Sequence, residues 1–150
     1  MSLVRRLLLA SAMSACACAP LTYSEDGAVD FGKYSSVRVS VASSLDPVGA
    51  TSYLADELRA VSGFVHVTVD ATKPVDAVLE VWVSTLPETQ MNDDGTLDSY
   101  YSSEANYRLS SPDDPGIDTG NTTDQSEYEW EAIEDVLDQV ALHYIRPYRL

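Results

Sequence analysis

Between Val37 and Val83 the spacing of apolar residues changes from two to between three and four, and then back to two. That switch restricts the chain to folds in which helices pack on a sheet. Val37, Val39 and Val41 alternate with Arg38, Ser40 and Ala42, the pattern of a half-buried strand. Asp46-Pro47 then offers a capping carboxylate with proline at the first helical position. Ala50, Leu54, Leu58 and Val61 follow at helical spacing and Gly63 supplies a stop, which predicts a helix over 47–62. Val65, Val67 and Val69 alternate again. Ala77, Leu79, Val81 and Val83 do so most strongly, and Val78 and Trp82 give that strand a second, partly apolar face, as in a central strand.

The second half is less regular. Residues 86–99 read as a polar loop, and Tyr101–Ser110 and Ile117–Thr123 as strands around the turn signal Pro112-Asp-Asp-Pro-Gly116. The last element is clear. Ser126-x-x-Glu129 has the form of a capping box, and Trp130, Ile133, Leu137, Val140 and Tyr144 make one apolar stripe ended by Pro147. One-sided helices and one-sided strands leave the water only by packing on each other. The expectation is a two-layer α+β sandwich in the order β-α-β-β-β-β-α, with a mostly antiparallel or mixed sheet of about five strands and both helices on one face.

The start of the chain carries a different kind of information. Arg5-Arg6, an apolar run from Leu7 to Ala15 and small residues beside Cys16 describe an export signal. The run is about nine residues, well short of the roughly twenty that span a bilayer. Met13-Ser-Ala-Cys16 resembles the bacterial lipobox, which implies a lipid on the Cys16 sulfur. Met13 stands where that motif usually has leucine, and Cys18 offers a second, poorer acceptor; Ala17-Cys18-Ala19 has the A-x-A look of ordinary signal cleavage, but Pro20 would follow the cut. The arginine pair also suits twin-arginine export, but Val4 and Leu7-Leu8-Leu9 lack the rest of that motif. The organisation expected is a lipoprotein signal peptide over 1–15, the lipidated cysteine and a tether over 16–30, and a single domain over 31–150. Ala17 is not the aspartate that retains such lipoproteins at the inner membrane of enteric bacteria. The resemblance therefore implies the outer membrane, facing the periplasm, with a secreted soluble form as the alternative.

Loss of the signal removes two of nine basic residues and leaves seven against 24 acids, a formal charge of −17. A surface of that sign repels phosphate, so nucleic acid is excluded as a partner. No cysteine follows Cys18, so the exported domain has no internal disulfide and stands on its core alone.

Two stretches add a family likeness. Phe31-Gly-Lys-Tyr34-Ser-Ser-Val37-Arg-Val39 resembles the F-x-x-Y-x-x-V-x-V strand that opens several small, uncharacterised bacterial lipoprotein families. Asp76-Ala-Val-Leu-Glu-Val-Trp-Val83 is similar to their D-A-D-x-x-V-x-V strand. The order of elements also resembles the amino-terminal domain of TolB and the periplasmic domain of the curli secretion lipoprotein. The likeness implies an interaction or assembly module without catalysis, and it carries over no functional residue.

His66 and His143 have no third ligand spaced nearby, and no G-x-S-x-G elbow accompanies the many serines. Asn92-Asp93-Asp94-Gly95 with Asp98 has the flavour of a calcium loop. An EF-hand register puts Gln90 and Tyr101 where carboxylates are needed, so that reading fails. Asp93, Asp94 and Asp98 remain as an interaction loop, with Asp113, Asp114 and Asp118 as a second acidic group. No catalytic residue, metal or cofactor is expected. The function expected is a lipid-anchored, non-enzymatic envelope module held to the membrane and bound to another envelope protein. A periplasmic small-ligand or calcium-binding protein comes second and a hydrolase third.

Overall fold

Five strands form one mixed sheet. β1 (Ser36–Ser43) pairs in parallel with β2 (His66–Thr68) on one side and β3 (Ala77–Met91) on the other. β4 (Leu97–Ser110) and β5 (Asp118–Ser126) add antiparallel, giving the order β2-β1-β3-β4-β5. α1 (Pro47–Val61) and α2 (Glu129–His143) complete the expected α+β sandwich. The computed structural model describes residues 29–145. The signal, Cys16, nearly all of the tether and Arg146–Leu150 lie outside them.

Alternation decides which side is covered. Val37, Val39, Val41, Leu79, Val81 and Leu109 point into a core closed by Leu54 and Leu58 of α1 and by Ile133, Leu137 and Val140 of α2. The residues between them, such as Ser40, Trp82 and Asn106, form an open face. Tyr53 of α1 donates to Asp138 of α2 at 2.8 Å, which ties the two helices together. Asp46 caps α1 as its sequence suggests, accepting from the Gly49 N–H at 2.9 Å.

The residues that carried the family likeness have structural work. Phe31 packs edge-on against Phe64, Tyr34 is buried, and Asp76 fastens the start of β3 to the start of β1.

Several expectations are corrected. Polar residues 86–99 are not a loop: β3 runs on to Met91 and β4 starts at Leu97, leaving only Asn92–Thr96 as a turn. Ser126 is not a helix cap. It ends β5, and α2 begins at Glu129 behind Tyr128 with no side-chain cap, while Ser126 donates to Glu131 at 2.9 Å. Gly63 does not end α1 through a left-handed backbone, since Gly95 is the one glycine with positive φ among the described residues. Gly63 is required by close approach, because a Cβ there would lie 2.6 Å from the Phe31 ring. Finally, β2 is three residues long and leaves Val65 68% exposed, because it lies at the sheet edge.

Candidate interaction site

The extension of β3 and β4 is the most unusual part of the molecule. β1 stops pairing with β3 at Val83, and β5 stops pairing with β4 at Tyr101. The ladder between β3 and β4 nevertheless continues through Leu86↔Ser102 and Glu88↔Tyr100 to Met91↔Leu97. From Glu88 outward a bare two-stranded ribbon projects from the sheet. At a rise of about 3.3 Å per residue, Met91 lies roughly 26 Å beyond Val83.

The ribbon closes through local hydrogen bonds. The Asn92 N–H donates to the Thr96 carbonyl at 2.8 Å, and Gly95, at φ 83°, makes the left-handed step such a turn needs. Asp94 Oδ1 accepts from the Thr96 hydroxyl at 2.6 Å and from the Thr96 N–H at 2.9 Å, and these bonds, the hydroxyl first, hold its carboxyl below the usual range. Asp98 accepts from the Asn92 side-chain amide at 2.9 Å. Of the sequence-predicted loop residues, Asp94 and Asp98 thus fix the turn and Asp93 stands exposed beside them. Among the described residues no three His, Cys, Asp or Glu side chains converge as a metal site.

The ribbon holds apolar side chains in water. Met91 is 72% exposed, and Leu97 and Leu86 are each 62% exposed. Met91 and Leu97 are direct cross-strand partners on the side that faces the helices lower in the sheet, while Leu86 lies on the open side. Burying such a side chain completely is worth about 1.5–3 kcal/mol, and most of that remains unrealised here. Tyr100 donates to its partner Glu88 at 2.8 Å, and this bond, ahead of a small effect of burial, raises its pKa. The sequence signal for these residues was weak, because a ribbon wet on both faces shows no apolar alternation.

His66 is exposed on β2. His143, at the end of α2, is different: its Nε2 lies 2.8 Å from Asp118 Oδ2 at the start of β5. Sequence separation hid this pair, which a hydrolase would require as its base and orienting acid. The rings of Tyr107 and Tyr144 pack against His143, at 5.4 Å and 5.0 Å between centroids. The Tyr144 hydroxyl is buried without a well-formed hydrogen bond, and burial, followed by the charge of nearby Asp118, pushes its pKa far up. The His143–Asp118 pair ties the end of α2 to β5. Among the described residues no helix is long and apolar enough to cross a membrane.

No protein-family model matches the chain, and no curated protein matches it in sequence. Solved structures do. The PelC dodecamer from Paraburkholderia phytofirmans aligns over 79% of this chain and 93% of its own, with a TM-score of 0.57 at 15% identity. The fold resembles that of PelC. A point variant of PelC, also solved as a dodecamer, aligns over 75% of this chain and 85% of its own, at a TM-score of 0.53 and 15% identity. A minor lipoprotein from Acinetobacter baumannii aligns over 72% of this chain and 87% of its own, at a TM-score of 0.43 and 13% identity. At such identities the likeness to PelC is one of fold.

Proposed function

We propose that this chain is a lipid-anchored, non-catalytic binding module of the bacterial envelope, held through Cys16 at the outer membrane and facing the periplasm. The observation that carries the reading is the β3–β4 ribbon, which exposes Met91 and Leu97 near its tip, with Leu86 exposed at its base. Met91 and Leu97, exposed side by side on a projecting element, suit a surface that another protein covers. The signal-like start with Cys16 supports the location, as does the resemblance of the opening strand to small lipoproteins. PelC, with a similar fold, is a dodecamer, which supports an assembly role for this architecture.

The test uses the full-length chain in a bacterial host. Membrane fractionation and intact mass of the native protein are expected to find it in the outer membrane with fatty acyl groups on Cys16. Crosslinking before mild detergent extraction is expected to retain a companion protein. Unmodified polypeptide in the medium, or a lone monomer after repeated crosslinking, overturns the reading.

A further inference from the structure

We propose that the β3–β4 ribbon is itself the docking element and that its occupant is a groove on a different protein, apolar at its centre and rimmed by Lys and Arg. This rests on the binding-module reading and names its surface. The ribbon is amphiphilic in an unusual way. Most of its apolar side chains, Met91, Leu97, Pro87 and Tyr101, lie on one face and Leu86 lies on the other, so a flat surface over the first would leave Leu86 in water. A groove that takes the ribbon edgewise covers both. Residues 84–103 hold four acids, Glu88, Asp93, Asp94 and Asp98, and no Lys or Arg. Two of the four sit at the exposed tip. Desolvating these carboxylates without cationic partners is costly, so the complementary surface carries positive charge around its apolar floor.

The same charges argue against the other occupants. A second copy presenting the same ribbon would bring its acids against these. Anionic lipid would meet the tip with the same sign. A neutral apolar floor without cations would leave Asp93 and Asp94 unpaired.

The experiment places a photo-crosslinking amino acid at Leu86 or Met91 of the full-length chain in the bacterium, and, for comparison, at exposed Ala60 on α1 or Asn121 on β5. Crosslinked peptides are identified by mass spectrometry. The expected result is an adduct from positions 86 and 91 to one segment of another protein, apolar and flanked by Lys or Arg. Its yield should fall by roughly threefold or more with Asp93→Lys, which spares the turn bonds of Asp94, while Asp113→Lys leaves it unchanged. Adducts to this chain itself, to lipid, or to a segment without basic flanks overturn the proposal. Adducts from Ala60 or Asn121 alone overturn it and leave the binding-module reading standing. Silence at all four positions removes both.

Discussion

One carboxylate oxygen, Asp76 Oδ2, lies 2.9–3.1 Å from the backbone N–H and the hydroxyl of both Ser35 and Ser36, while the Asp76 N–H donates to Ser36 Oγ at 2.9 Å. These donors favour the charged form, the Ser36 backbone N–H first, and hold the Asp76 carboxyl below its ordinary range. A depressed folded-state pKa contributes stability that is present above the unfolded value of about 3.9 and is lost as pH falls through the folded one. Asp76→Asn is therefore expected to lower Tm at neutral pH, by about 1 kcal/mol in stability for a clamp in contact with water. It should also flatten the loss of Tm below about pH 4. Parallel melting curves for the two proteins would refute the clamp. Gly120 offers a second test. It sits opposite Tyr107, and a Cβ there would lie 2.3 Å from the buried Tyr107 hydroxyl. Gly120→Ala should cost about 1–3 kcal/mol in urea unfolding. Gly116→Ala, where nothing lies within 4 Å, should be close to neutral.

At the scale of elements, the ribbon separates stability from function. None of its residues from Glu88 to Tyr100 is buried, so replacing 88–100 by Asn-Gly, which closes the Pro87↔Tyr101 pair, is expected to leave Tm within a few degrees. A collapse of Tm would show that the ribbon props the sheet and would undercut its reading as a docking element. The ribbon also marks where sequence ceased to be legible. α1, α2, β1 and the lower half of β3 announced themselves because burial on one side imposes a period. The upper half of β3 has no buried side, so hydrogen bonding alone makes it a strand and its composition reads as loop. Ser126-x-x-Glu129 misled for a related reason: the β5 ladder took Ser126 first. Asp93, Asp94 and Asp98 were legible as a place, but Met91 and Leu97 were not, since their importance lies in remaining exposed. The His143–Asp118 contact joins residues far apart in the chain, which no local spacing reports.

Over the whole molecule, charge sets the balance. On α2, Asp135 has its carboxyl raised by partial burial first, and then by Asp124 of β5, Asp138 and Glu131. A raised folded-state pKa reverses the sign found for Asp76: its contribution is present below the unfolded value and lost as pH rises through the folded one. At neutral pH this group is thus ionised against its neighbours and opposes folding, in a chain whose formal charge is −15. Two consequences follow from that repulsion. Added salt, which shortens the range of like-charge repulsion to about 8 Å at 0.15 M, should raise Tm between low and physiological ionic strength. Asp135→Asn should raise stability at pH 7 by a few tenths of a kcal/mol, the modest size reflecting solvent screening, and should reduce the salt dependence. The same variant should gain little near pH 4, where the neighbouring acids begin to protonate and the repulsion it relieves fades. Calorimetry at the two pH values and two salt concentrations decides this. An equal gain in all four conditions would show that Asp135 acts through helix propensity or packing, and the acidic face would then owe its cost to something other than charge.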